Sequence, residues 1–255
     1  MSARTAAPES LGSVLSGVGY DSLTYNAKVS GKGATVGDVR FTEGLLNLTH
    51  AGRYLRVPQQ TFHRWARGYR RGEPLLHVIE REKTRLPVTF IALAEGHVLE
   101  ALRDAGVRPR RIRPALQRLQ QEFGRDYVLV APELATDGID VLWDFARSKE
   151  GEGLIAGDTG QHIMRDIVQD YMSYIAWDKS GVPNELELRH WLPSKVVVDV
   201  RRSFGQPIFA GTGTRVADVA GMMKAGEDAG TVAEEFGLDI SDVRTAARIL
   251  LGRAA

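Results

Sequence analysis

The chain has 255 residues, of which 43% are hydrophobic and 25% charged, a composition typical of a folded globular protein. It has no cysteine, which excludes a disulfide framework, a thiol nucleophile and a thiolate metal site. Its longest apolar runs have only the length of a strand, and the first twenty residues lack the apolar core of a signal peptide. We therefore expect a cytoplasmic protein without a membrane segment.

The net charge of +1 conceals two blocks of opposite charge. Residues 50–125 carry 16 basic and 7 acidic side chains, whereas residues 126–255 carry 13 basic and 21 acidic ones. A basic block of this kind favours nucleic acid as a partner, and the acidic block favours a different partner such as a protein. The alternative is that the two blocks simply attract each other.

Residues 1–40 are rich in Gly, Ser, Ala and Thr and show little hydrophobic periodicity, which is typical of an N-terminal tail. The stretch "SGKGATVG" resembles a phosphate-binding loop. However, Lys32 is followed by Gly33, so the loop lacks the Gly-Lys-Ser/Thr ending that contacts phosphate and magnesium. We interpret it as a linker.

After Phe41 the pattern predicts two short helices joined by the tight turn "RVP". In "LTHAGRYLRV", Thr49 is the candidate N-cap of the first helix. Pro58 suits the first turn of the second helix, "PQQTFHRWARG", and Gly68 would end it. This layout is that of a helix-turn-helix, whose second helix reads the major groove of DNA.

The second helix is predicted to bury one side and to present the other to DNA. Phe62, Trp65 and Ala66 share the side that should face the core. The opposite side and the helix exit carry groups that can hydrogen-bond to base edges or phosphates. The predicted DNA-binding residues in this region are Gln59, Gln60, Thr61, His63, Arg64, Arg67, Arg70 and Arg71.

The next segment predicts a wing. "PLLHVIE" and "LPVTFIAL" are β-prone runs separated by "REKTR", which is typical of a hairpin, and Lys83 and Arg85 would lie at its tip. Two helices should follow, "AEGHVLEALRDAG" and "PRRIRPALQRLQQEFG". The second begins with Arg110, Arg111 and Arg113, which we expect to grip flanking phosphates.

The remaining chain is predicted to alternate short strands and helices. "DYVLVAPEL" and "DVLWDFA" suggest strands, "GLIAGDTGQHIM" a hairpin, and "RDIVQDYMSYIAWD" a helix followed by a connector at 179–195. "KVVVDV" then predicts a strand, before a Gly-rich turn and three helices. The expected fold class is mainly α with small β-hairpins: a winged helix-turn-helix, a short β-containing middle segment and a C-terminal strand plus three-helix domain.

Signals for catalysis are few. The six histidines do not have the His-Glu-x-x-His spacing of a metal site, and no Gly-x-Ser-x-Gly nucleophile motif occurs. The "GTGT" stretch from Gly211 to Thr214 could offer amides to a phosphate, but a turn is the better interpretation. We therefore expect no catalytic residues, no metal and no cofactor, and keep a nucleotide-binding enzyme as an alternative.

Two stretches resemble known domains. "LTHAGRYLRVPQQTFHRWARGYRRG", the predicted hairpin and "HVLEALRDAGVRPRRIRPALQRL" together resemble a MerR-like winged helix-turn-helix. The stretch from "VVVDVRRSFGQPIFAGTGTRV" to "SDVRTAARIL" resembles a small helical domain of unknown function that is common in antitoxins. It matches at Gly205, Pro207, Gly211 and Thr212, although Gly213 and Thr214 separate Arg215 from the position where many relatives have arginine.

In this order the two resemble the long VapB-type antitoxins. The resemblance implies a DNA-binding autorepressor that neutralises a PIN-domain ribonuclease toxin. The resemblance covers residues 41–255, and the N-terminal tail (1–40) lies outside it. We expect the covered part to divide into a DNA-binding domain (41–147), a hairpin-helix connector (148–195) and a C-terminal domain (196–255).

The charges refine that expectation. Residues 199–255 carry 7 basic and 8 acidic groups, which favours homodimerisation over DNA binding there. Residues 126–198 carry 6 basic and 13 acidic groups and are a candidate surface for the toxin. The alternative function is a DNA-binding transcription regulator, or an architectural factor for recombination, without a toxin partner.

Overall fold

The computed structural model describes residues 37–69, 73–79, 85–156 and 160–252. Ten α-helices lie in this part of the chain. They are α1 (Val39–Thr42), α2 (Leu48–Leu55), α3 (Gln59–Arg67), α4 (Phe90–Asp104), α5 (Arg113–Phe123), α6 (Asp137–Arg147), α7 (Gln161–Met172), α8 (Val216–Ala225), α9 (Ala229–Phe236) and α10 (Ile240–Ala246). A π-helical turn at Ala247–Leu251 continues α10.

Four strands form one antiparallel sheet in the order β1-β2-β3-β4. They are β1 (Ile175–Trp177), β2 (Pro183–Glu187), β3 (Val196–Asp199) and β4 (Ile208–Phe209). Leu186 pairs with Ile175 on one side and with Val198 on the other. The predicted fold class, mainly α with little β structure, is confirmed.

The two helices of the predicted helix-turn-helix are present, but α2 starts two residues earlier than expected. The Asn47 side chain accepts a hydrogen bond from the His50 amide at 2.8 Å and caps the helix. Thr49 is inside α2, so its assignment as the N-cap was wrong. Both Asn47 and Thr49 have capping side chains, and the sequence alone did not distinguish them.

The predicted second strand of the wing was wrong for most of its length. Within the described residues, Val88 forms isolated bridges with Leu46 and Val78, and Thr89 then caps α4, which begins at Phe90. Residues 90–102 are all buried, so this helix has no polar face. Its first turn is therefore a continuous apolar run, which resembles a buried strand.

The middle of the chain is more helical than predicted. "DYVLVAPEL" forms two 3₁₀ turns, Val128–Val130 and Pro132–Ala135, and "DVLWDFA" lies in α6. The predicted hairpin after Gly153 is instead a bridge at Ile155 and the start of α7. The predicted helix at 165–178 ends at Met172, because Ile175–Trp177 pair with β2, a strand inside the predicted connector. Short apolar runs such as these do not reveal their period.

The C-terminal elements follow the prediction, with a strand, a Gly-rich turn and three helices. The "GTGT" stretch is a closed turn, in which the Gly213 amide donates to the Phe209 carbonyl and the Thr214 amide to the Thr212 hydroxyl. Gly213 has a φ of 75°, a value that glycine adopts without strain. The predicted turn geometry is confirmed.

One hydrophobic cluster runs from Leu45 to Ala246 and joins the helix-turn-helix to the C-terminal elements. Two long-range hydrogen bonds reinforce it. The Trp191 Nε1 donates to the Tyr54 carbonyl at 3.0 Å, and the Gln206 Nε2 donates to the Leu45 carbonyl at 2.8 Å. Among the described residues, no helix has the length and apolar character needed to cross a membrane.

Candidate nucleic-acid interface

The turn between α2 and α3 is tight because three backbone features fit together. Arg56 ends α2 in the left-handed region with a φ of 57°, and the Val57 amide donates to the Gly52 carbonyl at 2.9 Å. A Cβ on Gly52 would lie only 3.2 Å from the Val57 carbonyl oxygen, so glycine permits this close approach. The turn thereby fixes the angle at which α3 leaves α2.

Helix α3 has the two faces that the sequence predicted. Phe62 and Trp65 are completely buried and Ala66 nearly so. On the other face, four predicted DNA-binding side chains are exposed, and two, Thr61 and His63, are half-buried. The exposed four are Gln59, Gln60, Arg64 and Arg67. The buried aromatic side therefore anchors a polar side that faces solvent.

A shallow depression of about 420 Å³ lies on this polar side, lined by Gln59, Gln60, His63 and Arg64. Burial and the nearby Arg67 guanidinium lower the pKa of His63. The imidazole is therefore neutral at pH 7, but its Nε2 is buried and has no hydrogen-bond partner among the described residues, so it offers at most its Nδ1 to a ligand. Together these side chains provide the amide, imidazole and guanidinium groups that can recognise base edges.

The starts of α2 and α3 are tied together by side chains. The Gln59 Nε2 donates a hydrogen bond to the Thr49 Oγ1 at 2.9 Å. This bond makes Thr49 part of the same polar surface, although the sequence pattern predicts only a capping role for it. Thr49 is half-buried, and no local pattern in the sequence indicates its contact with Gln59, ten positions later.

Helix α4 supports α3 from behind through a glycine. A Cβ on Gly96 would lie 2.8 Å from the Phe62 Cε2 and 3.0 Å from a Leu55 methyl carbon. The absent side chain therefore lets both helices of the helix-turn-helix pack closely against α4. The orientation of the polar face of α3 depends on this contact.

The base of the predicted wing is fastened to α4 by a buried carboxylate. Glu95 accepts hydrogen bonds from the His77 amide at 2.7 Å and lies 2.5 Å from the His77 Nδ1. This neighbouring negative charge raises the pKa of His77. Arg85 is exposed beyond this base. Arg70, Arg71 and Lys83 lie outside the described residues.

The three predicted arginines around the start of α5 have different surroundings. Arg110 lies over the Tyr69 ring, with its guanidinium carbon 5.8 Å from the ring centre. Arg111 donates to the Glu152 carbonyl at 2.6 Å. Arg113 donates to the Glu73 carbonyl at 2.6 Å and to the neighbouring Pro74 carbonyl. Arg111 and Arg113 therefore also fasten distant segments together, which sequence spacing could not show.

Nothing in the described part of the chain gathers three or more potential metal-binding side chains into one cluster. The geometry instead presents a polar helix face with basic residues around it. Such a surface can contact phosphates through its arginines and base edges through its amides.

Two family descriptions match the chain. Residues 44–116 match the family "Putative DNA-binding HTH domain", which covers α2, α3, α4 and the start of α5. Residues 196–248 match DUF433, a protein family of unknown function, which covers β3 to the π-helical turn. The first match coincides with the surface described above.

Individual proteins are similar over most of the chain. A Mycobacterium tuberculosis protein named "Putative antitoxin VapB45" is 38% identical over 229 residues, which span 82% of this chain and 95% of that protein. The uncharacterized protein Rv2308 of the same organism is 28% identical over 74% of this chain and 83% of its own length.

The fold is similar to that of a solved structure. The crystal structure of Rv2018 from M. tuberculosis has a TM-score of 0.68 and 34% identity, and it covers 82% of this chain and 99% of its own. The helix-turn-helix match covers α2 and α3, whose geometry is that of a DNA-reading element. The similarity to the antitoxin extends over most of the chain. The chain belongs to the family of VapB-type antitoxins that carry a helix-turn-helix DNA-binding domain.

Proposed function

We propose that this protein is the antitoxin of a toxin–antitoxin pair and represses its own operon by binding operator DNA through α3. The observation that carries the proposal is the exposed polar face of α3, held on a buried Phe62–Trp65 anchor within the matched helix-turn-helix. A helix presented in this way fits the major groove. The protein itself needs no catalytic activity for this role.

The proposed DNA-binding residues fall into two groups, one that contacts bases and one that contacts phosphates. Gln59, Gln60, His63 and Arg64 line the depression on α3 and contact base edges, while Thr61 and Arg67 flank them. The remaining predicted residues contact the phosphate backbone on either side. They are Arg70, Arg71, Lys83, Arg85, Arg110, Arg111 and Arg113.

A reporter gene placed behind the promoter of the protein's own operon tests repression. The wild-type protein should lower expression, and Arg64→Ala should restore most of it, because a bidentate base contact contributes about 1–3 kcal/mol. Lys224→Gln, which removes an exposed positive charge from α8, serves as the control and should repress normally. Full repression by Arg64→Ala would remove Arg64 from the interface.

The proposed toxin is a PIN-domain ribonuclease, and its binding surface is the acidic face formed by α6 and α7. Asp137, Asp144, Asp166 and Asp170 are exposed there. Ile163 in α7 is 44% exposed and supplies an apolar contact. Acidic residues around an apolar residue suit a basic, partly apolar partner surface.

Co-expression with the product of the adjacent gene tests this assignment. The two proteins should co-purify, and the antitoxin should restore growth and suppress RNA cleavage. Ile163→Arg should weaken the complex, whereas Leu192→Arg, which alters an equally exposed apolar residue elsewhere, should not. Normal growth on expression of the neighbour alone would favour the second candidate, a transcription regulator without a toxin.

We also propose a homodimer through residues 196–255, which would match a two-half-site operator. Val232, Ala233, Val243 and Ala246 are buried inside this chain, so exposed residues must form such an interface. Among the described residues of this segment, the exposed large apolar side chains are Phe204, at 92%, and Ile240 at the start of α10, at 44%, so Phe204 is the stronger candidate. Light scattering should give twice the monomer mass for the wild type and the monomer mass for Phe204→Asp.

A further inference from the structure

A cleft of about 260 Å³ lies beside the turn of the helix-turn-helix, where the C-terminal helix packs against α2. Arg53 and Arg56 come from α2 and its end, and Arg248 comes from the π-helical turn after α10. The remaining lining residues are Gly52, Val57, Pro58 and Ile249. Among the described residues, the lining therefore includes three arginines and no acidic residue.

These arginines differ in how much of their hydrogen-bonding capacity is used. The Arg53 Nη1 donates to the Leu250 carbonyl at 3.0 Å, which holds the C-terminal turn against α2. Within the described residues, neither Arg56 nor Arg248 has a hydrogen bond or an ion pair with another side chain. Both are exposed. Each can therefore give its full set of donors to an external ligand.

The backbone around the cleft has two unusual features. Arg56 adopts the left-handed conformation, and the chain forms a π-helical turn at Ala247–Leu251. Strained residues and π-helical turns concentrate at functional sites. Arg56 and Arg248, which are 192 positions apart in sequence, both line this cleft.

We propose that Arg53, Arg56 and Arg248 form a phosphodiester-binding site that clamps the DNA backbone next to the bases contacted by α3. The inference rests on the proposed DNA binding and extends it to the C-terminal region. Val57 and Pro58 line the cleft and directly precede Gln59, so a phosphate bound there lies close to the polar face of α3. Guanidinium groups bind phosphate oxygens through paired hydrogen bonds.

The net charge of residues 199–255 suggested that this region does not contact DNA. A sum over a segment, however, does not describe its local surface. Arg248 lies in the cleft with two arginines of the other region, so the local charge there is positive. The C-terminal region thus contributes to DNA binding through one side chain while carrying acidic residues elsewhere.

The test is the salt dependence of DNA binding by the full-length protein, measured by fluorescence anisotropy on operator and scrambled duplexes. Each phosphate contact contributes about 0.9 to the slope of log K against log salt, which corresponds to roughly fivefold in affinity at 0.15 M salt. Arg56→Gln and Arg248→Gln should each lower the slope by about one and weaken both duplexes equally. Their combination should lower it by about two.

Lys224→Gln is the matched control, because it removes one exposed positive charge from the C-terminal helices outside the cleft. It should keep the wild-type slope. Thermal unfolding should show that all variants fold. Wild-type slopes for Arg56→Gln and Arg248→Gln would overturn the clamp, even if Arg64→Ala weakens binding and supports the reading helix.

Two further outcomes separate the clamp from the proposed function. If the wild type binds neither duplex, the proposed DNA binding fails and the clamp fails with it. If the two cleft variants bind DNA normally but no longer co-purify with the toxin, the cleft binds an acidic protein surface and the phosphate assignment is wrong.

Discussion

At the scale of single residues, the interior of α4 contains groups whose ionisation is altered by burial. His97 is 2% exposed, and its Nε2 lies 2.9 Å from the Tyr171 carbonyl oxygen. A neutral imidazole with its proton on Nε2 donates this bond. Burial lowers the pKa of His97 to about 4, with the nearby His190 and Arg189 acting in the same direction.

This residue should make the protein acid-sensitive. The folded-state pKa is below the unfolded value, so the unfolded chain takes up the proton first and stability falls between pH 6.5 and about 4. The full shift corresponds to about 3 kcal/mol. Urea unfolding at pH 7 and pH 4.5 should show a smaller loss for His97→Gln than for the wild type. An equal loss in both would contradict the assignment.

Glu100, one turn further along α4, should act in the opposite direction. Burial raises its pKa to about 7, although the Arg103 guanidinium donates to its Oε1 at 2.9 Å. A carboxyl whose folded-state pKa is raised loses stabilisation as the pH rises from 4.5 to about 7. Relative to the wild type, Glu100→Gln should become more stable between pH 5 and pH 8. A difference that stays constant across this range would refute the prediction.

At the scale of elements, the amphipathic helices were predictable and the fully buried ones were not. Phe62, Trp65 and Ala66 recur on one side of α3, so its buried and exposed faces could be predicted from periodicity. Helix α4 has no polar face in residues 90–102, so its first turn resembled a strand. Arg111 and Arg113 bind carbonyl groups about 40 residues away, which no local pattern indicates.

The contact between α4 and the helix-turn-helix gives an element-scale prediction. Gly96→Ala places a Cβ 2.8 Å from the Phe62 ring, so α3 must shift. We expect a loss of about 1–3 kcal/mol in unfolding free energy and weaker operator binding. Gly221→Ala in α8 is the control, since its Cβ meets nothing within 4 Å. That variant should gain about 0.5–1 kcal/mol from helix propensity. Unchanged stability of Gly96→Ala would show that the contact tolerates a methyl group.

At the scale of the whole molecule, the predicted DNA-binding, connector and C-terminal segments share one interior. The hydrophobic cluster includes Leu45 and Phe62 of the DNA-binding region and Val219 and Val243 of the C-terminal helices. Composition suggested separable regions of opposite charge, but charge describes the surface and not the core. The long-range links through Trp191 and Gln206 depend on tertiary packing and could not be read from the sequence.

Removal of residues 196–255 should therefore disrupt the DNA-binding region as well. It takes away β3, the partner of β2, and the π-helical turn that packs against α2. We expect the fragment 1–195 to lose its cooperative thermal transition in circular dichroism and to lose DNA binding. A fragment that unfolds cooperatively and binds the operator would show that the N-terminal region folds independently.

The most direct test of the central claim, that α3 reads operator DNA, is the ratio of affinities for operator and scrambled duplexes at one salt concentration. The wild type should prefer the operator. Arg64→Ala should lower this ratio by an amount that corresponds to about 1–3 kcal/mol of binding free energy, and it should change nonspecific affinity much less. Equal ratios for the wild type and Arg64→Ala, together with an unchanged ratio for Gln60→Ala, would contradict recognition by this helix.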